Sequence, residues 1–346
     1  MAHTTGHQYQ NLSTNNVTKA ILVIGGAGYI GSHICKTLYK NGYTPIIVGR
    51  DIAKNTKLGD YGDCYELNFP KDIHVLDELH KRYQFDTCIH TAAYTAVGAS
   101  VKDPKSYYQN NLVMTIQLLN KLVELNVKKF IFSSSAAVYG IPATEVCVDT
   151  EKNLNPINPY GQTKLMVEKV LHDYYRAYDL KSVSLRFFNV GGADPDGDIG
   201  EDHEVETHII PIAIEAGFNA KEFYLNGDNY NTPDGTCIRD YVHVMDIADA
   251  HLQAVRLIKD KFTCERFNIG TGIGMSNKQI LDAVQKHTGA MKIITREKRA
   301  GDPDKLVADI SNTTTQLEWK PKLSTVDIIV RDAVKWYKQK HKKEIH

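Results

Sequence analysis

Apolar positions fall in short runs separated by amphipathic stretches. Residues 20–24, Ala-Ile-Leu-Val-Ile, form an apolar run ended by glycines, which predicts a buried parallel strand. Residues 29–41, closed by Gly42, have the spacing of a helix, and 44–48 that of a second strand. A helix over 73–83 and a third strand over 87–91 follow. Asp103-Pro104 opens a helical region reaching Leu125. A strand over 129–133, a long helix over 160–178 and a strand over 182–187 complete the pattern. Strands alternating with helices at these lengths predict an α/β fold with a doubly wound parallel sheet. From Gly191 the texture changes. Residues 191–206 are rich in Gly, Asp and Glu and read as a long loop, and short mixed elements follow. This predicts a dinucleotide-binding domain over 19–188 and a smaller substrate-binding domain over 189–346. Later segments such as 237–262 are expected to return to the first domain. Residues 1–18 read as a flexible leader, and 325–343 as a surface helix with a basic tail.

Charge narrows the partners. Lys plus Arg number 41 and Asp plus Glu number 41, so no global basic field points to nucleic acid or an anionic membrane. No apolar run approaches the roughly 18 residues that a membrane span needs. The six cysteines, Cys35, Cys64, Cys88, Cys147, Cys237 and Cys264, are scattered without a C-x-x-C pair. The expectation is no metal site, no disulfide framework, and reduced thiols in the cytoplasm.

Two motifs carry chemistry. Gly25-Gly26-Ala27-Gly28-Tyr29-Ile30-Gly31 follows the first strand and opens a helix. Glycines there let the backbone approach a pyrophosphate, and the helix N-terminus offers free N–H groups. The second strand ends in Gly49-Arg50-Asp51. An acid at that end would hold the adenosine ribose, whereas an arginine accommodates a 2′-phosphate, so the choice between NAD and NADP stays open here. Further on, Tyr160-Gly161-Gln162-Thr163-Lys164 is Y-x-x-x-K, with both functional groups on one helix face. A cation beside the phenol favours the phenolate and makes it a general base for a hydroxyl proton. The preceding strand runs into Ser133-Ser134-Ser135, and Ser135 is placed to bond the same substrate oxygen.

These residues resemble the UDP-glucose 4-epimerases, of the extended short-chain dehydrogenase/reductase class. The likeness runs from Ile21 to about Trp336 through residues 25–32, His90-Thr91-Ala92-Ala93, residues 132–140, 160–164 and 186–189. It continues through Gly200-Glu201-Asp202, Asp234-Gly235-Thr236, residues 239–246 and Arg299-Ala300-Gly301-Asp302. The resemblance implies a Rossmann sheet and Tyr160, Lys164 and Ser135 as catalytic residues. It implies NAD held by Gly25, Gly28, Tyr29, Ile30, Gly31, Arg50, Asp51, Asn68, Phe69, Thr91, Ala92, Ala93, Asn110, Ser133 and Phe187, with Tyr160 and Lys164. The UDP-sugar would be held by Asn189, His208, Ile209, Arg239, Arg299 and Asp302, alongside Ser135 and Tyr160. Leu306 stands where the family gates room beside the sugar's 2-substituent, often with tyrosine, so N-acetylated sugars are expected to fit. The family also implies a homodimer through helices near Tyr107 and Tyr175. Ala136 and Ala137 replace the acids that related dehydratases and decarboxylases use for elimination. The implied reaction takes the 4-hydroxyl proton and the 4-hydrogen from the sugar, turns the keto sugar, and returns both. Departures lie on the cofactor side: Gly49 and Arg50 in place of an Asp and a neutral residue, Asn68 for an Asp, and Thr95 for a Lys. Two other readings stand beside this one: an NADP-dependent nucleotide-sugar reductase, and a non-catalytic dinucleotide sensor.

Overall fold

Seven strands make one sheet. They are β1 (Ala20–Ile24), β2 (Thr44–Gly49), β3 (Asp63–Glu66), β4 (Thr87–His90), β5 (Lys129–Ser135), β6 (Lys181–Phe187) and β7 (Cys264–Ile269). Their spatial order is β7-β6-β5-β4-β1-β2-β3, and every neighbouring pair is parallel. The computed structural model describes residues 19–55, 57–142, 146–150, 154–258, 261–298 and 302–342. The leader expected over 1–18 and the expected ligand Arg299 lie outside the described residues. The chain leaves β1 toward one edge and, from β4, builds toward the other. The order therefore reverses between β1 and β4, and a crevice opens beyond their C-terminal ends.

The strands read as apolar runs because both faces are covered. One core, with Ile21, Val23, Ile47 and Ile89, packs under α1 (Tyr29–Lys40) and α6 (Val244–Leu257). The other, with Leu22, Ile24, Cys88 and Phe130, packs under α2 (Val75–Tyr83), α3 (Met114–Glu124) and α4 (Pro159–Tyr178). α6 lies against α1, and β7 adds the last strand beside β6, so chain beyond residue 189 completes the sheet. A separate core gathers α5 (Ile209–Phe218), α7 (Asn277–Thr288) and α8 (Val326–His341).

Two differences from the sequence reading are local. β3 was not expected. Its residues Asp63-Cys64-Tyr65-Glu66 are partly exposed and lack an apolar run, as suits a four-residue edge strand. The helical region after Asp103 is not uniform: a wide π turn, Tyr108–Val113, separates Pro104–Tyr107 from α3. Asn111 is buried there. Its amide brackets Tyr94, accepting from the Tyr94 N–H at 2.8 Å and donating to the Tyr94 carbonyl at 3.0 Å. Among the described residues, no helix is long and apolar enough to cross a membrane.

Candidate functional site

The glycine turn comes first in the chain and first in the site. Gly25 has φ +87°, a conformation that side chains resist, and a Cβ there would lie 2.5 Å from the Ala92 nitrogen. A Cβ on Gly31 would lie 2.1 Å from the Gly25 carbonyl oxygen, so α1 starts hard against the turn. The turn is closed by the Gly28 N–H donating to the Gly25 carbonyl at 3.0 Å. Gly28 caps α1 without any side-chain bond, and the first turn carries no acid. The helix therefore presents its free N–H groups to the crevice. This cradle fits a pyrophosphate, and hence a dinucleotide, by its shape and donor set.

A single cleft of about 2680 Å³ runs from this turn into the second half of the chain. That is well above the roughly 300–1,000 Å³ typical of a drug-sized ligand, and it suits a dinucleotide with a second nucleotide. Gly25, Gly28, Tyr29, Ile30 and Gly31 line one end. Arg50 and Asp51 beyond β2, Asn68 and Phe69 beyond β3, and Thr91, Ala92 and Ala93 beyond β4 line the adjacent wall. Asn110, in the π turn, faces the same space, as do Ser135, Tyr160 and Phe187. Asn189, His208, Ile209, Arg239, Asp302 and Leu306 line the far part. Ser133 and Lys164 are buried behind this surface rather than on it. Every expected site residue within the described chain thus lies in or directly behind one cleft.

The pattern at the end of β2 has a steric cause. A Cβ at Gly49 would sit 2.9 Å from the Ala27 Cβ, so the glycine turn leaves no room there for an acid. Arg50 lays its guanidinium over the Tyr94 ring at 5.6 Å, while Asp51 pairs with Lys54 at 3.3 Å. Tyr29 sends its phenol away from the turn, donating to the Gly192 carbonyl at 2.7 Å. Nearby, the buried Lys36 ammonium on α1 meets Asp194, Asp196 and Asp198 at 2.5, 2.9 and 3.2 Å. These contacts tie the first turn of the fold to the chain after β6.

α4 presents the catalytic candidates. Asn158 accepts from the Gly161 N–H at 2.8 Å and Pro159 starts the helix, which fixes its phase against β5. Burial raises the Tyr160 phenol above its ordinary pKa, and Ser135 pulls it back in part. Lys164 lies one turn deeper. Its ammonium donates to the Ser133 carbonyl at 2.7 Å and sits 5.8 Å from the centre of the Tyr160 ring. Burial drives the lysine pKa down to about 7, with the Glu168 charge opposing. The expectation that Lys164 lowers the phenol's pKa is therefore corrected for the chain alone: desolvation is the larger effect, and the lysine is itself only partly charged near neutrality.

Glu168 and Arg186 are site residues that the sequence reading did not single out. Glu168 follows Lys164 by one helical turn and accepts from Arg186 at 3.0 and 2.7 Å and from Ser134 at 2.6 Å. Arg186 also reaches the Tyr139 hydroxyl at 3.0 Å, which in turn donates to Asn268 at 2.7 Å. The i, i+4 spacing of Lys164 and Glu168 was the available signal. Asp240 is another: fully buried, it accepts from Thr271, Gly272 and Ala308 and so joins the strands that carry Asn189, Arg239 and Leu306. Arg239 is buried, donates to the Ile238 and Pro303 carbonyls at 2.8 Å, and pairs with Asp302 at 3.6 Å.

His208 starts α5 and pairs with Glu201 at 2.8 Å and Glu206 at 2.9 Å. His203 approaches the same two acids at 3.2 and 3.3 Å. Burial opposes the charged form of His208, but the two carboxylates outweigh it and raise its pKa to about 10; the same carboxylates raise His203 to about 9.

Residues 21–270 match the model of the NAD dependent epimerase/dehydratase family. A UDP-glucose 4-epimerase of Lactobacillus helveticus is 42% identical over 320 residues, covering 92% of this chain and 97% of that protein. A crystal structure of a Brucella ovis UDP-glucose 4-epimerase in complex with NAD superimposes with TM-score 0.86 at 41% identity, over 92% of this chain and 98% of that one. The UDP-Glc/GlcNAc 4-epimerase of Campylobacter jejuni superimposes with TM-score 0.79 at 37% identity, over 93% of this chain and 99% of that one. With a glycine cradle shaped for a dinucleotide, and NAD in the Brucella relative, the cofactor is NAD. The chain belongs to the NAD-dependent epimerase/dehydratase family, among the UDP-glucose 4-epimerases.

Proposed function

We propose that the chain interconverts UDP-glucose and UDP-galactose by inverting the sugar's C4. The observation that carries this reading is the presence of Tyr160 and Ser135 together in a cleft continuous with the glycine turn. When bound, NAD supplies a reversible acceptor for the hydrogen on C4. Tyr160 takes the 4-hydroxyl proton and later returns it, and Ser135 holds the same oxygen in both directions. Lys164, anchored on the Ser133 carbonyl, lies behind the phenol and supplies positive charge as the phenol ionises. Arg239 and Asp302, with Asn189, His208, Ile209 and Arg299, hold the UDP part, so the sugar can turn while its anchor stays. Ala136 and Ala137, next to Ser135, have no group that moves a second proton, which disfavours elimination. Residues 19–188 with 237–262 form the cofactor-binding unit, and the rest of 189–346 forms the substrate unit. The enzyme works in the cytoplasm as a homodimer through helices near Tyr107 and Tyr175, a reading supported by the exposed Val97, Val101 and Tyr178 on neighbouring helical surface.

The test is incubation of the purified chain with UDP-galactose alone, followed by NMR. UDP-glucose should appear without added cofactor, and denaturation should release NAD. Turnover that requires stoichiometric NADPH would establish the reductase reading instead. No turnover in either case would leave the sensor reading.

Leu306 extends the proposal to N-acetylated sugars, in keeping with the Campylobacter relative's name. It lines the cleft and packs beside Ala136, Phe188 and Ala308. Leucine lacks the hydroxyl and the length of tyrosine, which leaves room for an acetamido group. UDP-N-acetylglucosamine should therefore be a substrate. Leu306→Tyr should cut its kcat/KM by about 10-fold or more while changing UDP-galactose turnover little, the scale of discrimination that pocket volume alone supplies. An equal loss on both substrates would reject the gate.

A further inference from the structure

Four side chains converge where the segment after Gly200 enters α5. His203 Nδ1 lies 3.2 Å from Glu201 Oε1 and 3.3 Å from Glu206 Oε2. His208 Nδ1 lies 2.8 Å from Glu201 Oε1 and 2.9 Å from Glu206 Oε1. One donor atom from each residue falls within 4.8 Å of all the others. We propose that Glu201, His203, Glu206 and His208 form a binding site for a four-coordinate divalent transition cation of the zinc type.

Ligand chemistry selects the ion. Two imidazole nitrogens and two carboxylate oxygens suit zinc, whereas calcium and magnesium take oxygen ligands. Geometry agrees. Zinc bonds of about 2.0–2.1 Å in a tetrahedron put neighbouring donor atoms about 3.3–3.4 Å apart. The four measured separations, 2.8–3.3 Å, need only a small expansion to take the ion. Charge agrees as well. Two neutral imidazoles turned nitrogen-first toward two carboxylates leave lone pairs facing each other, and one dication between them neutralises the set.

A second acidic cluster on the same segment shows what a filled site looks like. Asp194, Asp196 and Asp198 enclose the Lys36 ammonium. Among the described residues, no lysine or arginine pairs with Glu201 or Glu206. Glu201 is mostly buried, with its side chain 9% exposed, and these two imidazoles are its ion-pair partners. Glu206 is held by the N–H groups of Thr207 and His208 at 2.7 and 2.8 Å, so the turn itself presents the ligands. The histidines are 39% and 47% exposed, which leaves an entry path. A bound ion would cross-link residues 201–208 and brace the wall of the cleft that leads to Ile209.

The full chain, stripped with a chelator and dialysed against zinc, should retain about one zinc per chain after gel filtration, and no magnesium under the same treatment. Zinc should raise the unfolding temperature by about 5 °C or more. His203→Gln combined with Glu206→Gln should abolish both effects. Cobalt bound to the unaltered chain should give the intense visible absorption of a tetrahedral site, a readout independent of how the variant folds. Failure to retain zinc, retention unchanged in the double variant (binding at other histidines such as His3 and His7), or only weak octahedral cobalt absorption would each overturn the site.

Discussion

Tyr160→Phe is expected to lower the epimerisation rate of UDP-galactose by about 10²–10⁴-fold, the usual contribution of a positioned acid–base group. The substitution removes one oxygen. The ring stays where the helix puts it. The backbone carbonyl of Tyr160 still accepts from Thr163 at 2.7 Å, so the first turn of α4 is undisturbed. Unfolding temperature and bound NAD should therefore match the unaltered chain. Progress curves with UDP-galactose, together with the dinucleotide content of the variant, separate the two effects. A variant that turns over within a few-fold of the unaltered chain would remove Tyr160 from proton transfer. Loss of activity together with loss of NAD would make it a cofactor contact.

Why a phenol so disfavoured as an anion acts as a base follows from its coupling to Lys164. Burial works against charge on both groups, raising the phenol and lowering the lysine to about 7. Each charge is favoured when the other is present, because the two lie within reach of one another. Such a pair titrates jointly, so its protonation belongs to the pair rather than to either residue. Lys164 also cannot leave. Its ammonium is bonded to the Ser133 carbonyl and covered by the Phe132 ring at 4.8 Å.

The sheet was legible because fully buried parallel strands are written as unbroken apolar runs. β1, α1 and β6 fall within a residue or so of their expected bounds. β3 escaped because an edge strand with exposed ends has no such run. The π turn escaped because its cause, the bracket between Asn111 and Tyr94, is a contact between residues 17 apart. The glycine turn and the Tyr160–Lys164 pair were legible because local spacing places them on one turn or one helix face. Glu168 with Arg186 and Asp240 with Thr271 were not, since each pair joins residues from separate elements. The Glu201, His203, Glu206 and His208 cluster lies within eight residues of sequence, yet its spacing matches neither a cysteine pair nor a helical His-x-x-x-His. Only the fold of the segment turns the four groups inward.

Arg186→Met should be the most destabilising single change near the site, costing about 3–5 kcal/mol, because it strands the Glu168 carboxylate without its counter-ion. Both side chains are 1% exposed and meet at 2.7 Å. Methionine follows the stem of arginine, so the lost interaction is the guanidinium rather than the packing. The remaining partners of Glu168 are the Ser134 hydroxyl at 2.6 Å and Arg266 at 3.6 Å, the latter more than a third exposed. Neither replaces a buried bidentate guanidinium. The charge argument makes a second prediction that packing does not. Removing both charges, Arg186→Met with Glu168→Leu, should recover much of the loss, since an apolar pair leaves nothing buried and unpaired. Urea unfolding of the three chains, compared at similar slopes, reads this directly. A double variant less stable than Arg186→Met alone would mean that the network of Tyr139 and Asn268, rather than the ion pair, holds β5, β6 and α4 together. The double variant also removes the charge that holds the Lys164 pKa up, so the lysine should lose its proton at lower pH. Activity remaining in that variant should then fall off at a lower pH than in the unaltered chain, because the positive charge behind Tyr160 is lost earlier as pH rises.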